Sequence, residues 1–162
     1  MSSASRRVAA DDDRLAHVSG PVGPGSPTPA AAVRAARLNA TALHWMLRLA
    51  CTCEFVGHGA FGIVTKAGWV PYFGVVGIPE WLAYRLMPVI GTVDITLGLL
   101  VALRPVRAAL LYMAFWGFLT TTIRPLSGEP LWEFVERAPN WAVPLAFLLL
   151  RGLPRTRGGW LR

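Results

Sequence analysis

Residues 85–103 read RLMPVIGTVDITLGLLVAL, a run of mainly Leu, Val, Ile and Ala. Arg85 and Arg104 bound this run, and Asp94 is its one acidic residue. A helix on the surface of a soluble protein carries polar residues on the side that faces water. This stretch has almost no polar side, so it predicts a helix that crosses a membrane.

Three further apolar segments lie at about 42–65, 107–123 and 131–150. Each is long enough, or nearly long enough, to cross the hydrocarbon core of a bilayer. Pro139 and Pro144 fall inside the last segment, so we expect that helix to be kinked at these prolines. Prolines are tolerated in membrane helices where neighbouring groups satisfy the freed carbonyl oxygens.

Together the four segments predict an all-α fold, an integral membrane four-helix bundle over residues 41–152. Residues 1–40 are rich in Ala, Ser, Pro and Gly. Such a composition cannot bury a core, so we expect a disordered basic tail before the bundle. Residues 153–162 predict a short basic tail after it. The acidic run Asp11-Asp12-Asp13 stands where a signal peptide needs apolar residues, which argues against a cleaved leader.

Charge is sparse and unevenly placed. Charged residues make up 15% of the chain and the net charge is +7, whereas soluble domains carry about 25% charged residues. The arginines flank apolar segments, so we expect anionic membrane lipids, and not nucleic acid, as their partners. Most arginines lie in the two tails and at Arg104 and Arg107, on one side of the predicted bundle. The positive-inside rule therefore predicts that both termini are cytoplasmic.

The first segment has two contrasting faces. On a helical wheel one face is polar, with Glu54 beside it, and carries His44, Arg48, Cys51, Phe55, His58 and Gly62. The opposite face is small, and carries Ala50, Cys53, Gly57 and Ala60. Small residues let a neighbouring backbone approach closely. We therefore expect the helix to pack through the small face and to turn the polar face to the bundle interior.

Ionisable groups inside predicted spans are costly and normally face protein or water. At 1.5 Å per residue, Arg48 and Asp94 come to similar depths, and Glu54 and His58 lie further out. The candidate site is an intramembrane polar cluster of Arg48, Glu54, His58, Asp94, Arg124, Glu136 and Asn140. In one interpretation, Arg48–Asp94 and Glu54–His58 are internal pairs that fix helix register. In the other, the cluster forms an outward pocket that binds a small molecule or relays protons.

No catalytic residue and no metal site is predicted. The sequence has no Gly-rich phosphate loop, no metal-spaced Cys/His group and no Ser/His/Asp set. His44 and His58 have a spacing that suits stacked haems. Two haems need four axial ligands, however, and these two histidines supply only half of them, so no haem is predicted. We therefore expect a protein that is not an enzyme by itself.

Several short motifs occur in order along the chain. Arg48 comes early in the first segment, followed by His58-Gly59 and Lys66, and then by Gly77-Ile78-Pro79-Glu80. A helix with a central acid between glycines (91–100) and the turn Arg104-Pro105 complete the series. In these motifs, from Arg48 to about Leu119, the chain resembles the DoxX-like family of small four-helix membrane proteins.

The resemblance implies a prokaryotic inner (plasma) membrane and a link to quinone or thiol redox chemistry. Some members look like the small subunit of a thiosulfate:quinone oxidoreductase. The first functional hypothesis is therefore an accessory subunit of a membrane redox system, with a partner subunit and no cofactor of its own apart from a candidate quinone. The alternative is a membrane protein that binds a small molecule or quinone in the outward polar pocket. A third hypothesis is an interaction protein that recruits its partner through the small face of the first helix.

Overall fold

A computed structural model describes residues 28–161, and within this range all regular secondary structure is helical. This confirms the predicted all-α class. The α-helices are α1 (Pro29–Ile63), α2 (Val70–Val75), α3 (Glu80–Leu103), α4 (Arg107–Leu126), α5 (Leu131–Glu136) and α6 (Pro139–Leu150). Single 3₁₀ turns follow α1 and α6, at Ala67–Trp69 and Arg157–Leu161.

Helix α1 begins earlier than the sequence predicted. Residues 1–40 were expected to be disordered, yet residues 29–40 are helical, so the prediction is wrong for that part. Alanine has the highest helix propensity, and five alanines lie between Pro29 and Leu38. The hydroxyl oxygen of Thr28 accepts a hydrogen bond from the Ala31 backbone N–H at 3.2 Å, as an N-cap residue does. Residues 1–27 lie outside the described residues.

The chain divides into a first unit that ends at Asn39 and a second that begins at Ala40. Within the described residues, α3 is long and apolar enough to cross a membrane. Helix α1 and the segment Ala67–Val75 pass the same test together, although the two are bent by 101°.

Helices α1 and α3 meet backbone to backbone. A Cβ atom added at Gly59 would lie 2.5 Å from the carbonyl oxygen of Gly91, and one at Gly62 would lie 2.8 Å from that of Met87. Gly62 belongs to the polar face of α1, and Gly59 lies just beside that face on the helical wheel. The small face was expected to make the close packing contact of α1, and that prediction is wrong, because a Cβ atom added at Gly57 would meet no described atom outside its own helix within 4 Å. Only glycine permits so close an approach, since even an alanine methyl would fill the gap.

The predicted segment 131–150 is two helices and not one kinked helix. Helix α5 ends at Glu136 and α6 begins at Pro139. Proline has no backbone N–H to donate and its ring clashes with the preceding turn, so it starts a helix more readily than it continues one. Helix α6 then packs on α4, where a Cβ atom at Gly117 would lie 2.8 Å from the backbone carbon of Asn140.

Two arginines bind the carbonyl groups at the ends of other helices. Arg48 donates to the backbone oxygens of Val101, Ala102 and Leu103, at 3.1, 2.6 and 2.6 Å. These carbonyls have no partner within α3, and the end of the helix carries partial negative charge. Arg107 caps α6 in the same way, through the carbonyl oxygens of Arg151 and Gly152, at 2.8 and 2.9 Å.

The C-terminal segment is folded against the bundle. The Arg107 guanidinium donates to the carbonyl oxygen of Gly159 at 3.3 Å. The Trp160 side chain packs against the core that Leu110, Met113 and Phe147 form. The predicted tail 153–162 therefore has fixed structure as far as residue 161.

Candidate functional site

A cavity of about 290 Å³ lies among α1, α2, α3, α4 and the start of α6. Its wall is largely apolar and aromatic, with Phe55, Trp69, Phe73, Leu86 and Trp116 among the lining residues. Pockets that bind small molecules begin near this size and have the same character, with a few polar groups that orient the ligand.

The polar part of the wall comes largely from the predicted cluster. Five of its seven residues line the cavity, namely Glu54, His58, Asp94, Arg124 and Asn140. Arg48 and Glu136 do not. Arg48 caps α3, and Glu136 is mostly exposed and pairs with Arg137 at 3.3 Å. The structure thus brings together residues from four separate helices around one space.

Asp94 is the most enclosed of these groups. It lies on the buried side of α3 and is 6% exposed. The Trp116 indole donates toward its carboxyl group, but the Oδ1 atom is buried without a hydrogen-bond partner among the described residues. A buried acceptor of this kind costs about 1–3 kcal/mol when it is left unpaired.

The predicted pair between Arg48 and Asp94 does not form, so that prediction is wrong. Side chains on a helix lean toward its N-terminus. The long Arg48 side chain therefore reaches the last carbonyls of α3 at Val101 and beyond. Asp94 lies seven residues before Val101, which is about 10 Å along the helix.

The predicted Glu54–His58 side-chain pair is also wrong. The Nδ1 atom of His58 lies 3.3 Å from the backbone carbonyl oxygen of Glu54, one turn earlier on α1. The His58 ring stacks on Trp69, with ring centres 5.8 Å apart and planes 22° apart. The Glu54 carboxyl group is therefore left to line the cavity without a bond to this histidine.

A charged network borders the cavity at Arg124. Its Nη1 atom donates to the Tyr72 hydroxyl at 2.8 Å and to Glu129 Oε2 at 3.1 Å. It also lies 3.6 Å from Glu133 Oε2. The Tyr72 hydroxyl in turn donates to Glu129 Oε1. This network connects α2, the end of α4 and α5.

The network explains the titration of Glu129. The hydrogen bond from Tyr72, and then the charge of Arg124, hold the pKa of the Glu129 carboxyl group below its usual range. Both contacts favour the ionised form. The carboxylate therefore stays charged and keeps Arg124 at the border of the cavity.

Sequence reasoning missed Tyr72, Trp116 and Glu129. Tyr72 and Trp116 are aromatic residues with a polar tip, which find a hydrogen-bond partner when they are buried. Glu129 is five residues after Arg124, across a turn, where helical spacing does not apply. The type of residue was a usable signal for Tyr72, because an aromatic residue with a polar tip stands in the connection between the first two predicted segments.

The arrangement is suited to binding. Asp94 supplies an acceptor that has no partner among the described residues, in a largely apolar wall. Arg124 supplies a positive charge and hydrogen-bond donors at the border of the cavity. Among residues 28–161 no three His, Cys, Asp or Glu side chains come together in a way that could hold a metal ion.

Comparisons with protein-family models, with curated proteins and with solved structures return no match. The resemblance to the DoxX-like family therefore stays a prediction. A fold can host many functions, so a function is inferred from the cavity and its residues.

Proposed function

We propose that the chain is a multi-pass membrane protein of a prokaryotic inner membrane whose cavity binds a small, largely apolar molecule of the quinone class. The membrane part is supported by the exposure of apolar side chains. Only 28% of the apolar window of α3 is buried, whereas the core helix of a soluble protein is mostly buried. Leu103 is 83% exposed and Phe115 62% exposed, and lipid would surround such side chains with hydrocarbon.

The proposed topology has four crossings: α1, α3, α4, and α5 with α6. The end where α3 stops and α4 starts carries Arg104 and Arg107. Arg48 and Arg151 act at the same end, through the helix-end contacts described above. The positive-inside rule assigns that end to the cytoplasm, and with it both termini of the bundle.

The observation that carries the ligand proposal is the Oδ1 atom of Asp94. Asp94 is one of the residues that line the apolar cavity, and its Oδ1 atom is buried in the wall with no partner among the described residues. A ligand that brings a hydroxyl or N–H donor would satisfy this atom and would displace little polar surface. A quinol headgroup fits this description, since it is a flat apolar ring with two hydroxyl groups. The guanidinium group of Arg124 at the border offers N–H donors to a quinone carbonyl oxygen or a second hydroxyl.

Binding can be measured through the tryptophans of the cavity, Trp69 and Trp116. A reduced short-chain quinol analogue is titrated into the purified protein in mild detergent while the fluorescence is followed. We expect saturable quenching. Asp94→Leu removes the acceptor and should weaken binding by about 10-fold or more, because hydrogen bonds to charged groups contribute about 1.5–3 kcal/mol.

Thr92→Val is the matched control. Thr92 is also on α3 and is exposed, and its hydroxyl group donates to the carbonyl oxygen of Pro88 in the same helix, at 2.8 Å. This variant should bind the analogue as the native chain does. Equal affinities of Asp94→Leu and Thr92→Val would refute the role of Asp94, and unsaturable quenching in the native chain would refute the binding site itself.

A second candidate function is an accessory subunit of a membrane redox system, as the resemblance implies. The exposed small face of α1 favours it, since Gly57 has open space beside it and Ala50, Cys53 and Ala60 are exposed. A helix of a partner subunit could approach this face closely. Gly57→Leu should then abolish co-purification of the partner in mild detergent and leave quinol binding unchanged. Retention of the partner by this variant would refute this function.

A further inference from the structure

A cluster of basic groups lies at the end of the bundle opposite to Arg124. Arg48 and Arg107 are the charged neighbours of the Arg151 side chain. The His44 ring is within the electrostatic range of Arg151 and Arg48, and it packs edge-on against Phe147, with ring centres 5.0 Å apart. The Arg107 guanidinium group also donates to the backbone oxygen of Arg151 at 2.8 Å, so positive charges from α1, α4 and the end of α6 act on one another here.

Arg151 differs from the other two arginines in what it binds. Arg48 and Arg107 donate to helix-end carbonyls. The Nε atom of Arg151 is buried and has no hydrogen-bond partner among the described residues. Burial, and then the charges of Arg107 and Arg48, lower the pKa of its guanidinium group. Burial and the neighbouring positive charges therefore destabilise the charged form of Arg151, and a bound anion would stabilise it.

Each of the described carboxylates pairs with another arginine, lies far from Arg151, or lines the cavity. Glu129, Glu133 and Glu136 bind Arg124 and Arg137 at the far end of α4. Glu80 begins α3, so it lies about 35 Å along that helix from Leu103. Glu54 and Asp94 line the cavity. Within residues 28–161 the chain supplies no carboxylate to Arg151.

The surroundings of the cluster favour a lipid. Leu149, Leu150 and Leu153 are exposed beside Arg151, and they offer an apolar surface to acyl chains. Trp45 is exposed and lies under the Arg48 guanidinium, 4.6 Å from ring centre to Cζ. Exposed tryptophans with adjacent arginines are typical of the headgroup level of a bilayer. The forked donors of arginine match the oxygens of a phosphate group.

We infer that Arg151, with Arg48 and Arg107 beside it, binds the phosphate of an anionic phospholipid. The chemistry recognised is a phosphate with net negative charge, and the exposed leucines assign it to a lipid and not to free phosphate. The inference rests on the proposed membrane location and is independent of the cavity and its ligand.

Native mass spectrometry of the full chain, released from mixed phosphatidylglycerol and phosphatidylcholine nanodiscs, tests the site. The native protein should retain phosphatidylglycerol in preference. Arg151→Gln should reduce this preference about five-fold, the change that corresponds to one basic residue at a lipid surface. Arg85→Gln is the matched control, because it removes one exposed arginine that lies over Trp81 at the start of α3. It should keep the native preference.

Equal preferences of Arg151→Gln and Arg85→Gln would overturn the inference. Full displacement of phosphatidylglycerol by inorganic phosphate would also overturn it, because the site would then belong to the free ion. If Arg151→Gln fails to fold, Arg151→Lys is tested in its place, because it keeps the positive charge and removes the paired N–H donors of the guanidinium group. It should show a weaker preference than the native chain, and an unchanged preference would contradict the site. Failure of the native chain to enter nanodiscs of either lipid would instead refute the membrane location.

Discussion

An alanine at position 59 would force its methyl group into the backbone of α3. The new Cβ atom would lie 2.5 Å from the carbonyl oxygen of Gly91 and 2.9 Å from the backbone nitrogen of Ile95. Ordinary contacts of Cβ atoms begin near 3.4 Å. The Cγ1 atom of Ile95 also lies 2.6 Å away, but the other two obstructing atoms belong to the backbone, so no change of rotamer relieves the clash. Helices α1 and α3 must then move apart by about 1 Å, against the close packing that protein interiors maintain.

The size of the effect follows from two opposing contributions. Overpacking of a well-packed contact costs about 1–3 kcal/mol, and a clash with backbone belongs at the upper end of that range. Alanine also favours the helix over glycine by about 1 kcal/mol. We therefore expect Gly59→Ala to lower the free energy of unfolding by about 2 kcal/mol.

Gly57→Ala is the control on the same helix. Position 57 has no neighbouring atom within 4 Å, so only the helix propensity changes and the free energy of unfolding should rise by about 1 kcal/mol. Both variants are unfolded by a denaturing detergent in mixed micelles and followed by far-UV circular dichroism. The two substitutions should shift the midpoint in opposite directions. A shift of both in the same direction would refute the backbone contact between α1 and α3.

Two further predictions concern the charged groups at the two ends of the bundle. Arg48→Met removes the hydrogen bonds to the last carbonyls of α3 and should lower the free energy of unfolding by about 3 kcal/mol. The same detergent titration measures it, and an unchanged midpoint would show that these bonds do not stabilise the bundle. Glu129 has a lowered pKa in the folded chain, so its stabilisation is present above the pKa of the unfolded carboxyl group and is lost as the pH falls through the folded value. Tyr72→Phe should therefore reduce the acid-side fall in melting temperature below about pH 4.5, and a fall as steep as that of the native chain would contradict the assignment.

The sequence was sufficient to locate the apolar stretches within α1, α3 and α4, because hydrophobic composition is a local property. The apolar run at 85–103 lies within α3, which begins five residues earlier at Glu80. Helical spacing also placed Glu54 and His58 on one side of α1, and both line the cavity. The candidate site residues were grouped by their positions on the helical wheel and by their depths along the predicted spans. Both quantities depend only on the regular geometry of a helix.

The partners of those residues could not be found in the same way. Arg48 reaches the end of α3 because of the direction of its side chain, and this leaves Asp94 without it. Which face of α1 packs on α3 depends on where the glycines of α3 lie opposite to it, and Gly91 is far from α1 in the sequence. The network at Arg124 needs Tyr72, which the chain brings back from α2. Each of these is a long-range contact, and the residue pattern of one segment does not encode it.

Gly117 determines the dimensions of the cavity although it offers no functional group. It lines the cavity, and its missing side chain is what allows the backbone of Asn140 to approach α4. A larger residue there would move the start of α6 and with it one wall of the space, while Asp94 and Arg124 would stay in place on their own helices. Chains of this architecture could therefore come to accept ligands of different bulk through exchange at a single position, with the recognition chemistry kept intact.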